Sequence, residues 1–258
     1  MFFLYFLIKH INNKFNFKNV FPKIDNIDVT NCLTNYLKKL DIAQLQHVFN
    51  SLETDKNKLI NKFKDCLISF NKSEQKLLIN LSSKLKIKNV KFVKFTNMHF
   101  NYPFTLCDII FLPTWKFKKN YPQKELETTL MHEYIHILQR FNQDLFDKFY
   151  QNNYGNYLIK IPRKQVAFED QVENNILINP DADLNNYWFI KQNNDLYYVP
   201  YVVDNNKVIT NRAYKVNPNQ YIVSNNFINV DNLDYSKLFN KNVLLTDPNE
   251  TFVNNLGY

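Results

Sequence analysis

From Lys124 to Phe141 the apolar residues Leu126, Leu130, Tyr134, Ile137, Leu138 and Phe141 recur at three- and four-residue spacing. That period predicts a helix with one buried stripe. Glu125, Thr129, His132, His136 and Gln139 fall on the opposite side, with Glu133 and Arg140 on its flank. The two histidines are therefore expected to point away from the stripe, towards a cleft or solvent. Helical periods also run from Thr30 to about Ile87. Leu33, Leu37 and Leu40 form one stripe, Leu45, Val48 and Phe49 a second, and Leu59, Phe63, Cys66 and Leu67 a third. Ser73-Glu-Gln-Lys opens a further helix carrying Leu77, Leu78, Leu81 and Leu85. No proline interrupts the chain between Pro22 and Pro103. Residues 1–87 are thus expected to be mainly helical.

From Lys88 the period changes. Val90, Phe92, Val93 and Phe95 suit a strand, and Thr105–Leu112 suits a second, halted by Pro113. Further on, Arg163–Asn175 reads as a helix. Tyr187–Ile190, Leu196–Val203, Lys207–Thr210 and Gln220–Val223 read as short strands between Asn/Asp turns. Near the end, Asp247-Pro248-Asn249-Glu250 is a helix opening, with Asp247 as N-cap and Pro248 in the first turn. The pattern predicts an α+β fold, with residues 88–258 either a separate region or continuous with the first.

Composition narrows the function classes. The chain has 258 residues, 45% of them hydrophobic, enough for a sizeable core. It has only two glycines, Gly155 and Gly257, so glycine-rich nucleotide-binding loops are excluded. A net charge of +8 would ordinarily suggest nucleic acid, but the lysines are dispersed and no long basic run exists. Nucleic-acid binding is not expected. Three widely spaced cysteines, Cys32, Cys66 and Cys107, suggest reduced thiols and an intracellular protein rather than a disulfide framework. The apolar start, Met1 to Ile8, is far shorter than the roughly 20 residues of a membrane span. It also lacks the basic flank and cleavage site of a signal peptide.

Inside the central helix lies His132-Glu133-Tyr134-Ile135-His136, an H-E-x-x-H motif. Residues i and i+4 are separated by only about 40° around a helix, so both imidazoles can share a tetrahedral zinc ion. Glu133 flanks them, placed to act on a metal-bound water without ligating. With five histidines and eight glutamates in the chain, about 0.003 such matches are expected by chance. A catalytic zinc needs a third protein ligand. Gln139 and Asn142 stand where the longer H-E-x-x-H-x-x-G-x-x-H pattern needs glycine and histidine, and no histidine follows His136. The candidates are Glu250, Glu169, Glu173 and Asp181, or an upstream histidine such as His99. By residue type, His99, Tyr187 and Tyr201 are candidates to stabilise an oxyanion.

The H-E-x-x-H motif followed by Ile-Leu-Gln-Arg, then Asn179-Pro180-Asp181, Tyr187-Trp188 and the terminal Pro-x-Glu, resembles uncharacterised zincin-like proteins of large DNA viruses and algae. The likeness covers residues 105–258. It implies a zincin-like fold with a small mixed sheet, an edge strand (Thr105–Leu112 is the candidate) and an active-site helix. It also implies gluzincin-style zinc binding by His132, His136 and Glu250, with Glu133 catalytic and a protein or peptide as substrate. The compartment implied is a host cytoplasm or virion. Two positions depart from the pattern: Asp247-Pro248 stands where His-Pro is expected, and Asn254 stands where an Asp would support a zinc histidine. The alternative is a catalytically inactive zincin-fold component of a virion or complex.

Overall fold

The computed structural model describes residues 27–38, 53–97, 101–173, 176–177, 185–204, 207–239, 245 and 247–255. They form a mixed α+β protein in two compact units, divided between Ile137 and Leu138 within a helix that runs unbroken through the division. The apolar start of the chain and the stripe residues Leu40, Leu45, Val48 and Phe49 lie outside the described residues.

The first unit begins with α1 (Ile27–Leu37) and α2 (Lys56–Asp65). Asp55 caps α2, its carboxylate accepting from the backbone N–H groups of Asn57 and Lys58, and the helix buries Leu59, Ile60 and Phe63. A two-residue strand, β1 (Leu67–Ile68), precedes α3 (Lys72–Leu85). The helical reading carried through Leu67 is therefore wrong at that point. The true start signal of α3 is a capping box one turn earlier than its apolar stripe: Asn71 Oδ1 accepts from Glu74 N at 2.9 Å, and Glu74 Oε2 accepts from Asn71 N at 2.8 Å.

Strands β2 (Lys91–Phe95), β3 (Phe104–Leu106) and β4 (Ile109–Pro113) join β1 in the order β1-β2-β4-β3. The β2–β4 pair is parallel and the others antiparallel. Thr105–Leu112 is thus not one strand but most of a hairpin. Cys107, at φ 52°, makes the reversal, and unbroken apolar character across it hid the turn. Phe92, Phe95, Ile109, Ile110, Phe111 and Leu112 are wholly buried, which accounts for the continuous apolar runs. The Phe104 and Phe111 rings stack at 4.6 Å. A 3-10 turn, Thr114–Phe117, leads to α4 (Gln123–Phe141), the motif helix.

The second unit continues from the last turn of α4. Asn142 ends that helix, its backbone N–H and side-chain amide both donating to Leu138 O (3.0 and 2.9 Å), and α5 (Gln143–Tyr154) starts at once. Then come β5 (Leu158–Pro162), β6 (Ala167–Phe168), α6 (Asp170–Glu173), β7 (Ile176–Leu177), β8 (Asn186–Gln192) and β9 (Asp195–Tyr198). They are followed by β10 (Tyr201–Asp204), β11 (Lys207–Ile209), β12 (Arg212–Asn217), β13 (Ile222–Asn229) and α7 (Pro248–Asn255). One sheet has the order β5-β8-β9-β12-β13-β6 and a smaller one β11-β10-β7. The helix expected over Arg163–Asn175 is replaced by a 3-10 turn, β6 and the single-turn α6. Its polar spacing suited a helix, but backbone pairing of Ala167 and Phe168 with β13 takes over. Similarly, Val199-Pro200 splits Leu196–Val203 between two sheets.

Cys32 and Cys107 are joined by a disulfide, 75 residues apart, which ties α1 to the β3–β4 turn. This corrects the expectation of three reduced thiols: spacing alone could not show that the turn brings Cys107 to α1. Cys66 is free and buried, and burial pushes its thiol pKa up. Among the described residues no helix is long and apolar enough to cross a membrane.

Thiol titration of the denatured, unreduced protein should find one reactive cysteine, rising to three after reduction; three without reductant would remove the bridge. Cys107→Ser should lower stability to urea by about 2–4 kcal/mol.

Candidate metal centre

Helix α4 is buried almost all round, not only along its apolar stripe. Leu126, Leu130, Tyr134, Ile135, Ile137 and Leu138 are buried, and so are Glu127, Thr129, Glu133, His136 and Gln139. His132 is half-buried. Of the side expected to face a cleft or solvent, Thr129, His136 and Gln139 are buried, His132 is half-buried and Glu125 is exposed. Phe141, read as the last stripe residue, is instead 61% exposed.

Each polar residue of the row has to be satisfied where it stands. Glu127 accepts two bonds from Lys84 Nζ, both at 2.8 Å, and one from Gln123, which together hold its carboxyl below the usual range. Thr129 Oγ1 donates to Glu125 O and accepts from Lys116 Nζ at 2.7 Å. Lys116, buried to 8% exposure, also donates to Tyr121 Oη at 2.6 Å and lies against the Trp115 and Tyr121 rings. Burial pulls its pKa below the usual lysine range, against the opposing charges of Glu133 and Glu125.

One turn further on, the ring nitrogens Nε2 of His132 and His136 are 3.0 Å apart, with the rings near-perpendicular. Glu250, in the first turn of α7 and 5% exposed, completes a group with them: one donor atom from each of the three lies within 4.8 Å of the others. Ligand atoms of a tetrahedral zinc stand roughly 3.3 Å apart, so the set is within about 1.5 Å of closing on an ion. Two imidazoles and one carboxylate are a donor set that catalytic zinc uses, and a divalent cation would offset the buried charge of Glu133 and Glu250. The residues fit the metal.

The helix opening at Asp247 is as the sequence predicts. Asp247 Oδ1 accepts from Asn249 N at 2.8 Å, and its carbonyl accepts from Thr251 N and Oγ1. The other third-ligand candidates are placed elsewhere or lie beyond description. Glu169 is exposed and accepts from Asn225 N at 2.8 Å. His99 and Asp181 fall outside the described residues, as do the side chains of Glu173 and Asn254. Tyr187 sits in an aromatic cluster with Phe168 and Tyr198, under the Arg163 guanidinium, and Tyr201 opens β10 beside Leu177.

The sequence did not point to Lys116, nor to the buried Tyr150 and the half-buried Asn249 that bond to Gln139. Only the place of Gln139 on the histidine face was legible in advance.

No protein-family model, no curated protein and no solved structure matches the chain.

Zinc should raise the thermal midpoint of the protein, and at a free concentration one hundred times Kd the gain in stability is about 2.7 kcal/mol. His136→Ala should abolish that rise; an undiminished rise in the variant would rule out this site.

Proposed function

We propose that the protein is a zinc-dependent metallohydrolase of zincin-like fold, acting on peptide bonds. His132, His136 and Glu250 hold the metal and Glu133 is the general base. The observation that carries this reading is the grouping of three donor atoms within 4.8 Å on residues that include both histidines of an H-E-x-x-H motif.

Zinc bound there supplies a water of lowered pKa and a Lewis acid for the scissile carbonyl. The protein's own part is proton traffic and orientation. Glu133 precedes Tyr134 on the buried flank of α4, 4% exposed, so bulk water does not level its basicity. Its carboxylate accepts the proton of the attacking water and returns it to the leaving amine. The half-buried His132 leaves the more open side of the donor set. A peptide as substrate rests on the H-E-x-x-H motif; β3, an edge strand, is followed by β4 before the turn that leads to α4, and its three residues are buried.

Glu133→Gln should retain zinc at wild-type stoichiometry and lose about 10²–10⁴ in cleavage rate on a peptide library. Unchanged turnover would remove Glu133 from the mechanism. Stoichiometric zinc with no turnover in the wild-type protein would favour the alternative, a structural metal in a non-catalytic component.

A further inference from the structure

The donor set depends on a residue that arrives more than a hundred positions after the histidines, on the short helix α7. Something must fix that helix to within a fraction of an ångström, or the third donor is lost to side-chain and backbone freedom. We propose that Gln139 is a positioning residue that holds Glu250 in ligand reach by clamping the first turn of α7 to the end of α4. The proposal rests on the zinc reading above and concerns how that site is held.

Gln139 lies one turn beyond His136 and is 2% exposed. Its Nε2 donates to two acceptors, the backbone carbonyl of Asn249 and Tyr150 Oη, both at 3.1 Å. A carbonyl can only accept, so the amide nitrogen must be the atom facing α7. The carbonyl it holds belongs to the peptide plane whose nitrogen is that of Glu250. Fixing that plane fixes the Cα from which the ligand carboxylate hangs. Tyr150 Oη donates in turn to Asn249 Oδ1 at 2.9 Å, and Asn249 N donates to Asp247 Oδ1. Three polar groups of the residue preceding Glu250 are thereby engaged at once. Burial raises the Tyr150 pKa well above the usual range, which keeps its hydroxyl proton in place for that bond.

The apolar side of α7 makes the clamp specific. Phe252 packs edge-on to Phe146 and Phe149 of α5, at 5.8 and 5.2 Å, and its ring also meets that of Tyr150 at 6.2 Å. These contacts hold α7 against α5 but leave its rotation and slide along the aromatic surface to be set by directional bonds. The Gln139 amide supplies one from α4.

A double-mutant cycle tests this. Gln139→Met keeps side-chain length and removes both donors. Zinc affinity would be measured by competition with a chromophoric chelator, in the wild-type and Glu250→Gln backgrounds. Gln139→Met should weaken zinc about 10–100-fold in the wild-type background and by less than about threefold where Glu250 has already been neutralised. Tyr150→Phe, cycled the same way, should show a smaller loss with the same dependence on Glu250, and carries the test if Gln139→Met does not fold. An equal loss in both backgrounds, or none in the wild type, would overturn the proposal, since a residue serving only the fold does not distinguish them. If Glu250→Gln by itself left zinc affinity intact, the fault would lie in the assignment of Glu250 and not in the clamp.

Discussion

A helix that is buried on its polar side as well as its apolar one is the constraint from which the rest of this structure follows. In α4, Glu127, Thr129, Glu133, His136 and Gln139 are all enclosed, and an enclosed polar group without a partner costs roughly 1–3 kcal/mol. The helix therefore dictates what must stand beside it. Lys84 on α3 comes to Glu127, Lys116 on the turn after β4 comes to Thr129, and Tyr150 and Asn249 come to Gln139. The capped helices and the sheet are ordinary in their local chemistry. What is particular to this chain is that the elements around α4 each deliver a polar group to one row.

The row also grades from structural to chemical along the helix. At its start, Lys84 is 60% exposed and answers a buried carboxylate from solvent, a pair of ordinary strength. In the middle, Lys116 is enclosed and its pKa depressed by burial, with Glu133 and Glu125 pulling the other way. Beyond it come two imidazoles and a second buried carboxylate, Glu250. The two ring nitrogens stand 3.0 Å apart, a separation that an N–H···N hydrogen bond between one protonated and one unprotonated nitrogen accounts for, and that two ligands of one cation would also adopt. On the proposed reading a divalent ion held there adds positive charge beside the enclosed Glu133 and Glu250 carboxyl groups.

What the sequence disclosed, and what it hid, divides along physical lines. Strong local signals were readable: the 3.6-residue period of α4, the i, i+4 histidines, and the Asp247-Pro248 opening that puts Glu250 in a first helical turn. Signals whose meaning lies in distant contacts were not. Cys107 makes a turn inside an apolar run and pairs with Cys32. Arg163–Asn175 has helical spacing but gives Ala167 and Phe168 to a strand ladder. A chain with two glycines also conceals its turns: Lys86, Asn89, Asn97, Asn193 and Tyr221 occupy left-handed backbone where glycine would have announced the reversal. Burial of Glu127, Thr129, Glu133, His136 and Gln139 was likewise invisible, because amphipathic spacing predicts a solvent face and only tertiary structure removes it.

The two positions that break the longer zinc motif bear on where a third ligand can come from. A glycine at 139 would let the chain turn away, and a histidine at 142 would then supply the ligand locally. Here α4 continues through Gln139 to Phe141, and Asn142 closes it with two bonds to the Leu138 carbonyl before α5 begins. A chain that stays helical past the histidines carries its own following residues away from them, at about 1.5 Å per residue along the axis. The third donor then has to come from another element, and that element has to be held. Gln139 occupies the position where the break would occur, and its amide bonds the backbone that leads into Glu250. On the proposed reading, the residue that stands in place of the glycine also provides the attachment for a distant ligand.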